Sequence, residues 1–265
     1  MVSIIIPSYN KSKYIKDTIL SVINQDSSEW ECLIIDDVST DSSVEVISNL
    51  IKNNDRLHLI KNLKNSGANY CRNLGVSKSK GDFIMFLDAD DVLASNCISS
   101  RVSNLSKSKD LDFGIFPVGT FNDFVGDSEF IWNNFKGNHI DRFLYHDLPW
   151  LICSVLWRKE SFIKTEGFCE EFERMQDVEF HTRFLLENNP KYKTYSYLKP
   201  DCFYRINNNR ILNGLDFCKK DISAKFLFVN RFSKILSEKK SKKIRFLRGT
   251  VFESYNLIFN FYSLG

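Results

Sequence analysis

The segment that determines the fold is Phe83-Ile84-Met85-Phe86-Leu87-Asp88-Ala89-Asp90-Asp91, an apolar run followed by three aspartates. An apolar run of this length suits a buried strand and falls far short of the roughly 20 residues that a membrane helix needs. Ligands of an open α/β sheet lie at the carboxyl ends of its strands, which is where these carboxylates stand. Three neighbouring carboxylates repel one another and favour a cation, and Mg²⁺ or Mn²⁺ binds oxygen ligands of this kind. An acidic turn that caps the following helix remains the alternative.

Other apolar runs flank this one, and together they predict a parallel sheet covered by helices. We expect strands at residues 3–6, 32–36, 57–61, 83–88 and 111–116. A helix is expected after the first strand, because apolar side chains recur every three or four residues from Tyr14 to Ile23. Ser42 followed by Glu45 predicts a capping box for a second helix, and a third helix should cover residues 68–77. Beyond residue 120 we expect a helix at 176–186 and strands at 194–197 and 203–206.

Polar residues also follow the first two predicted strands. The second strand runs into Asp36-Asp37-Val38-Ser39-Thr40-Asp41, where a carboxylate can accept a hydrogen bond from a uracil or guanine N–H. Helix capping accounts for Ser39 or Thr40. The first strand ends in Pro7-Ser8-Tyr9-Asn10, whose tyrosine ring can pack on a base or cover the core. Two acidic strand ends in one sheet predict a ligand site more strongly than one does.

The composition places the chain among ordinary globular proteins. It has 265 residues, of which 43% are apolar, and 36 basic against 33 acidic residues leave a net charge of +3. A disordered chain would need lower hydrophobicity and a larger net charge, and 11 glycines and 5 prolines are too few for a low-complexity chain. The 7 cysteines are odd in number and include no C-x-x-C pair, which argues against a disulfide framework or a zinc site. We therefore expect a reducing, cytoplasmic compartment. No signal peptide is expected, because a basic n-region is missing and Pro7 cuts short the apolar run from Val2 to Ile6.

The C-terminal region, residues 216–265, differs in charge from the rest of the chain. Residues 216–249 carry 11 basic and three acidic side chains, a net charge of +8, with aromatic residues interleaved. This pattern suits helices that pack on the preceding domain, and it also suits a helix pair at the surface of an anionic membrane. Nucleic acid is not expected as a partner, since a run of charge is usually a solvated face.

Five motifs stand in register along the first hundred residues. The first is residues 2–10, and the second is residues 35–41, with Val38 at a usual glycine position. The third is residues 65–75, which match N-x-G-x-x-x-A-R-N-x-G except that Cys71 replaces alanine. Residues 80–84 then lead into a D-x-D motif at Asp88 and Asp90. In this order the motifs resemble glycosyltransferase family 2, which implies the inverting GT-A fold: an α/β, Rossmann-like, mostly parallel central sheet with helices on both faces, here with a C-terminal helical extension.

The resemblance also implies a nucleoside diphosphate sugar as the donor, with UDP as the first choice of nucleotide. Pro7 and Tyr9 would line the base pocket, and Asp37 would bind the base. Arg72 would reach the diphosphate or brace the acidic cluster, since a guanidinium can pair with two oxygens at once. No G-x-G-x-x-G follows the first strand, which argues against a nicotinamide-binding Rossmann domain.

The same resemblance assigns a divalent cation, Mn²⁺ or Mg²⁺, to the run of three carboxylates. Asp90 would ligate the ion that bridges the two phosphates, Asp88 would contact the ribose or the ion, and Asp91 would assist. Negative charge grows on the diphosphate as it leaves, and a cation held at this position stabilises that charge.

On the acceptor side the family supplies a general base, and Asp177 aligns with it, although Gln176 stands where the family has glutamate. Glu179 is the reserve candidate and a second acceptor-side carboxylate. Trp150 would stack on an acceptor sugar if its indole is exposed, with a place in the core as the alternative. Arg205 lies in a segment that resembles the family's late Tyr-Arg pair, and it would close over the diphosphate once the donor is bound.

These implications predict an inverting, metal-dependent glycosyltransferase that moves a hexosyl or N-acetylhexosaminyl group to a glycan or a polyprenyl-diphosphate-linked saccharide in bacterial surface polysaccharide synthesis. Residues 1–118 would form the nucleotide-sugar half and 119–215 the acceptor half of one domain. Residues 216–265 would form a basic, aromatic-rich helical extension that packs on this domain or contacts the inner face of the cytoplasmic membrane. Two alternatives stay open. One is a sugar-nucleotide-binding partner subunit without turnover, and the other is a sugar-phosphate nucleotidyltransferase, which would need a glycine-rich loop in place of Ser8-Tyr9-Asn10-Lys11.

Overall fold

The strands form the central layers of the fold in the computed structural model, which describes residues 1–52, 54–132, 134–206 and 214–252. In chain order the strands are β1 (Val2–Ser8), β2 (Trp30–Asp36), β3 (Leu57–Lys61), β4 (Phe83–Phe86), β5 (Val92–Leu93), β6 (Phe113–Ile115), β7 (Val118–Phe121), β8 (Ile131–Trp132), β9 (Val155–Arg158), β10 (Tyr192–Thr194) and β11 (Cys202–Arg205). The α-helices are α1 (Ile15–Ile23), α2 (Ser43–Ile51), α3 (Gly67–Lys78), α4 (Cys97–Ser106), α5 (His139–Tyr145), α6 (Lys159–Phe162), α7 (Gln176–Asn188) and α8 (Gly214–Glu238). Short 3-10 turns lie at Ile152–Ser154 and Lys242–Phe246.

Among the described residues, seven strands form the main sheet, in the order β10-β6-β9-β4-β1-β2-β3. Neighbouring strands are parallel except at β9, which runs antiparallel to both β4 and β6. A second sheet has the order β5-β11-β7-β8, and its edge strand β5 directly follows the three carboxylates. The prediction of an α/β fold with a mostly parallel central sheet is confirmed.

Helices cover both faces of the main sheet, because successive side chains of a strand point to opposite faces. Ile4 and Ile6 of β1 belong to a buried cluster that includes Ile19 of α1. Ile5 lies between them and faces α3, where a Cβ added to Gly75 would collide with the Ile5 side chain. Glycine at this position therefore lets α3 approach the sheet closely.

The predicted elements are present, and the differences lie at their ends. β3 has the predicted bounds, and the strands expected at 194–197 and 203–206 lie slightly earlier, as β10 and β11. β4 ends before Asp88, because the chain turns there and the Asp91 N–H donates to the Asp88 carbonyl at 3.0 Å. The predicted capping box was wrong. The Ser42 side chain makes no capping bond, and Asp41 Oδ1 instead accepts from the Ser43 N–H at 2.9 Å.

The chain divides into two compact units. The first comprises Met1–Asn134, Trp150–Phe168 and Pro190–Ile206, and it holds both sheets. The second comprises Phe135–Pro149, Cys169–Asn189 and Asn207–Gly265, and its described helices include α5, α7 and α8. The predicted division into functional halves, at 1–118 and 119–215 with an extension at 216–265, differs from these two compact units. It stays a prediction.

The long helix α8 of the second unit has a buried side and an exposed side. Its buried apolar side chains recur every four residues, at Ala224, Phe228, Phe232 and Leu236. Its exposed side chains include Lys219, Phe226 and Lys234. The aromatic residues of the predicted extension therefore include core residues, and residues 253–265 of that extension lie outside the described part. In the ranges that are described, no helix has both the length and the apolar character that crossing a membrane requires.

Candidate active site

The three carboxylates after β4 lie in the turn that leads into β5. Asp90 and Asp91 are buried, and the Asp88 side chain is 32% exposed. A buried carboxylate is rarely stable without a hydrogen-bond or charge partner. Each of the three carboxylates has such a partner, and each partner comes from a different element. Asp88 is held by α3, Asp90 by the loop after β1, and Asp91 by β11.

Arg72 of α3 supports Asp88 from inside the fold. Its Nη2 donates to Asp88 Oδ1 at 2.8 Å, and its Nη1 donates to Asn69 Oδ1 at 3.3 Å. The nearly buried guanidinium also lies 5.5 Å from the centre of the Phe168 ring. These contacts agree with a bracing role for Arg72, whereas its contact with a donor diphosphate stays a prediction.

Lys11 provides a cation for Asp90. Its Nζ lies 2.5 Å from Asp90 Oδ2, and its backbone N–H donates to Ser43 Oγ at 2.8 Å. Lys11 was not among the predicted site residues, because it lies 79 positions from Asp90 in the sequence. The signal that could have found Lys11 is its place just past the first strand, at the sheet edge where the carboxylates also lie.

Arg205 of β11 holds the backbone of the acidic turn. Its N–H donates to Asp91 Oδ1 at 3.0 Å, and its Nε donates to the Asp90 carbonyl at 3.0 Å. Its Nη1 donates to the Asn122 carbonyl at 3.2 Å, and the guanidinium lies 4.2 Å from the centre of the Phe121 ring. The side chain is therefore directed at the turn and at the end of β7. Its predicted closure over the diphosphate stays a prediction.

Asp37, which follows β2, holds the start of α3. Its Oδ1 accepts from Asn62 Nδ2 at 2.7 Å and from the Ser66 N–H at 2.9 Å. Its Oδ2 accepts from the Gly67 N–H at 2.8 Å. A carboxylate can accept about four hydrogen bonds, so the predicted contact with a base would be additional to these three.

Tyr9 and Pro7 lie at the carboxyl end of β1. Pro7 is partly buried and pairs with Ile35 of β2, whereas the Tyr9 side chain is 47% exposed. An exposed phenol ring offers a face on which a planar base can stack. Their place in a base pocket stays a prediction.

Cys71, which replaces alanine in the third motif, is buried beside Asn62, whose Nδ2 lies 3.3 Å from the Cys71 sulfur. Burial raises the pKa of the Cys71 thiol to about 12, and the charge of Asp37 adds to this rise. The thiol is therefore neutral at physiological pH and acts as a small core side chain.

Trp150 is a core residue, so the predicted stacking of an exposed indole on an acceptor sugar was wrong. Its relative exposure is 0%, and its ring centre lies 6.5 Å from that of Phe113 and 6.0 Å from that of Tyr192. An indole buried among aromatic rings offers no face to a sugar. The sequence around Trp150 does not distinguish an exposed indole from a buried one, because burial depends on strands far along the chain.

In the second unit, Asp177 lies in the first turn of α7. The residue before the helix, Met175, has a left-handed backbone with φ of 56°, and it redirects the chain into the helix. Asp177 Oδ1 accepts from the Val178 N–H at 3.0 Å, and a carboxylate is favoured at a helix N-terminus. Its side chain is partly buried. The role of Asp177 as general base stays a prediction.

Glu179 is fully buried, so its predicted role as reserve base and acceptor-side carboxylate was wrong. Its Oε1 accepts from Arg183 Nε at 2.7 Å and from Arg231 Nη1 at 2.8 Å. A carboxylate held between two guanidinium groups is a buried counterion. This pairing was not predictable from neighbouring residues, because Arg231 lies 52 residues further along the chain.

The acidic turn suits a divalent ion that takes part of its ligands from elsewhere. Within the described residues, no three histidine, cysteine or acidic side chains converge as a complete metal cage. Mg²⁺ typically takes one or two protein carboxylates and completes its shell with water and substrate phosphates. Asp90 already faces a cation, the Lys11 ammonium, so positive charge is stabilised at its carboxylate. The oxygen donors of the turn therefore fit Mg²⁺ or Mn²⁺.

The sheet and its carboxylates define an α/β protein with acidic side chains at the carboxyl ends of its strands, the edge at which open α/β sheets bind their ligands. The sequence profile of the family described as Glycosyl transferase family 2 matches residues 3–165. The chain belongs to this family, and the prediction made from the strand-end motifs is confirmed. The chain spans 41%, 36% and 44% of the lengths of three curated bacterial relatives that it matches.

One relative and two solved structures show where the likeness lies. The chain is 34% identical over 127 residues to the UDP-Glc:alpha-D-GlcNAc-diphosphoundecaprenol beta-1,3-glucosyltransferase WfgD of Escherichia coli, covering 48% of this chain and 49% of WfgD. It superposes on S. aureus TarS 1-349 in complex with UDP with a TM-score of 0.64 and 21% identity, covering 88% of this chain and 72% of that one. For the mannosyltransferase PcManGT from Pyrobaculum calidifontis in complex with GDP-Man and Mn²⁺, the TM-score is 0.63 and the identity 16%, covering 96% and 69%. At these identities, what the comparison shows is that this chain and the two structures have the same fold.

Proposed function

We propose that this chain is an inverting glycosyltransferase of bacterial surface polysaccharide synthesis, which moves a sugar from a nucleoside diphosphate sugar to a saccharide acceptor. The observation that carries the proposal is the acidic turn after β4, in which Asp88, Asp90 and Asp91 are each held by a different element. Close carboxylates are costly to hold in place, and a metal-bound diphosphate is a partner that offsets the cost. Membership of glycosyltransferase family 2 supports the same conclusion.

A UDP-sugar is the first candidate for the donor, with a hexosyl or N-acetylhexosaminyl group to be transferred. WfgD is named for a UDP-Glc donor, and the TarS structure contains UDP, so both support a uridine nucleotide. The exposed Tyr9 ring would stack on the base, with Pro7 beside it and Asp37 accepting from the base N–H. Arg72 would stay on Asp88 and reach the diphosphate with the rest of its guanidinium.

A divalent ion, Mn²⁺ or Mg²⁺, would be held by Asp90 together with Asp88 and Asp91. When bound, it supplies positive charge to the departing diphosphate. The Mn²⁺ of PcManGT supports this choice. Arg205 keeps the turn in place, because it binds the Asp90 carbonyl and the Asp91 carboxylate at the same time. Such fixed geometry lowers the reorganisation that the reaction requires.

Asp177 would act as the general base. It would take the proton of an acceptor hydroxyl while that oxygen attacks the anomeric carbon, and the bond from this carbon to the diphosphate oxygen would break. A single displacement inverts the anomeric configuration, so an α-linked donor gives a β-linked product. Glu179 is excluded from this role by its two arginine partners, which leaves Asp177 as the candidate on α7.

The acceptor would be a glycan or a saccharide linked to a polyprenyl diphosphate, as the name of WfgD supports. The surface of the second unit supports contact with the inner face of the membrane that holds such an acceptor. Exposed basic side chains there include Lys234, Lys239, Lys240, Lys242, Arg245 and Arg248, and exposed apolar side chains include Phe226, Ile244, Val251 and Phe252. Exposed basic side chains attract anionic lipid, and exposed apolar side chains can enter the interfacial region of a bilayer.

Two variants separate donor binding from transfer. We expect Asp177→Asn to lower transfer by at least about 10²-fold, because general base catalysis contributes that much, and to leave metal-dependent UDP binding intact. We expect Asp90→Ala to weaken UDP binding in the presence of Mn²⁺. Calorimetry with UDP and Mn²⁺, after a thermal-shift screen of UDP-, GDP- and dTDP-sugars, measures binding, and UDP release with saccharide acceptors measures transfer.

The control is Asp110→Asn, because the Asp110 side chain is 67% exposed and its Oδ2 lies 3.8 Å from Nζ of Lys191, which is 66% exposed. Equal loss of UDP binding in the Asp177 and Asp90 variants would overturn the division of roles. Donor binding by the wild-type chain without turnover on any acceptor would identify a partner subunit. Formation of a nucleotide sugar from a sugar phosphate would identify a nucleotidyltransferase.

A further inference from the structure

The cation that faces Asp90 in this structure is a side chain of the protein itself. Lys11 Nζ lies 2.5 Å from Asp90 Oδ2, and the Asp90 side chain is 2% exposed whereas that of Lys11 is 29% exposed. A buried carboxylate is stabilised by a charge-assisted hydrogen bond of this length. Lys11 therefore neutralises Asp90 in the ligand-free chain and still reaches solvent.

The backbone of Lys11 is fixed at the sheet edge. Its N–H donates to Ser43 Oγ at 2.8 Å, and its carbonyl accepts from the Ile15 N–H at 2.9 Å, where α1 begins. Asn10, which has a left-handed φ of 51°, accepts from the Thr40 N–H through Oδ1 at 2.8 Å. The movable part of Lys11 is its four-carbon side chain, which carries a compact point charge.

We propose that Lys11 is a donor-binding residue that exchanges partners: it neutralises Asp90 when the site is empty, and it binds the donor diphosphate when a divalent ion takes Asp90. An ammonium and a divalent ion repel each other at one carboxylate oxygen, so binding of the ion displaces Lys11. The phosphate oxygens of the donor are the anions that a displaced ammonium would bind. This role for Lys11 rests on the proposed function, because it requires a diphosphate donor.

Such an exchange predicts two effects of opposite sign when the Lys11 charge is removed. Without Lys11, the Asp90 carboxylate has no competing ammonium, so Mn²⁺ alone binds more tightly. UDP at saturating Mn²⁺ binds less tightly, because one charge-assisted contact with the diphosphate is lost. A merely structural role for Lys11 would weaken both equilibria or change neither.

The test is calorimetry on the full chain with two titrants, Mn²⁺ alone and UDP at saturating Mn²⁺. For Lys11→Gln we expect Mn²⁺ alone to bind at least about fivefold more tightly. We expect UDP to bind about tenfold more weakly, the lower end of what one hydrogen bond to a charged group contributes. Lys11→Arg keeps the charge and should retain most of the UDP affinity. Lys13→Gln is the matched control, because Lys13 is exposed and packs over Tyr14 at 5.1 Å from the ring centre.

Weaker binding of both titrants by Lys11→Gln, or wild-type binding of both, overturns the role of Lys11. Lys11→Met replaces the glutamine variant if that variant does not fold, and it carries the same expectations. If the wild-type chain binds UDP with Mn²⁺ and Lys11→Gln changes neither affinity, the role of Lys11 is refuted and the proposed function stands. A wild-type chain that binds Mn²⁺ but none of UDP, GDP and dTDP defeats the proposed function and this role with it.

Discussion

Glu179→Gln removes one negative charge from a buried site with little change of shape. Within the second unit, Glu179 Oε1 accepts hydrogen bonds from Arg183 at 2.7 Å and from Arg231 at 2.8 Å. Glutamine keeps an acceptor oxygen but leaves both guanidinium groups facing an uncharged amide. Water screens them poorly, since the Arg183 side chain is 9% exposed and that of Arg231 is 27% exposed.

We expect this variant to lose about 3 kcal/mol of unfolding free energy, because breaking a buried ion pair costs about 3–5 kcal/mol and the partial exposure of Arg231 places this case at the lower end. In a chain of this size each kcal/mol shifts the melting temperature by about 2–4 °C, so the melting temperature should fall by roughly 6–12 °C. At temperatures well below the unfolding transition the variant should keep its transfer activity, because Glu179 is a counterion and Asp177 is the proposed base.

Circular dichroism during heating measures the stability, and UDP release at low temperature measures the activity. Glu171→Gln is the matched control, because Glu171 Oε2 lies 3.5 Å from the same Arg231 but its side chain is 70% exposed. The control should change the unfolding free energy by less than about 0.5 kcal/mol. A Glu179→Gln variant with wild-type stability and no transfer activity would refute the counterion role and restore Glu179 as a candidate base.

Two further predictions concern the second unit. Burial lowers the pKa of His181 from 6.5 to about 3, so its contribution to stability is complete above pH 6.5 and falls below it by about 1.4 kcal/mol per pH unit. Urea unfolding at pH 7.5, 6 and 5 should show this slope in the wild type and a reduced one in His181→Phe, and equal slopes would contradict the shift. The wild-type chain should co-sediment with phosphatidylglycerol vesicles at low salt, and joint replacement of Arg245 and Arg248 by glutamate should weaken this binding at least about tenfold, since each basic side chain near an anionic surface contributes about 1 kcal/mol. A wild-type chain that stays in the supernatant would count against the membrane contact.

The parts of the fold that were predictable have local signals. β3 occupies the predicted residues, and α3 spans Gly67–Lys78 against a prediction of 68–77, because short apolar runs and helical periodicity are properties of neighbouring residues. The acidic strand ends were also predictable, since the carboxyl ends of parallel strands meet at one edge of a sheet. The capping box failed because Asp41, one residue earlier, binds the start of α2 in place of Ser42.

The parts that were missed depend on partners far along the chain. Lys11 lies 79 residues before Asp90, and Arg205 lies 115 residues after it, so no local pattern reports either contact. Whether a side chain is exposed also depends on residues far along the chain. Trp150 and Glu179 are buried because distant aromatic rings and a distant arginine cover them, and their own neighbours in sequence do not reveal this.

The most direct test of the donor site is anomalous diffraction at the manganese edge from crystals grown with Mn²⁺ and UDP. We expect a manganese peak bonded to an Asp90 oxygen and to the diphosphate, with the Lys11 ammonium moved off Asp90. Manganese bound away from the acidic turn, or UDP seated without an ion at Asp90, would contradict the role assigned to these carboxylates.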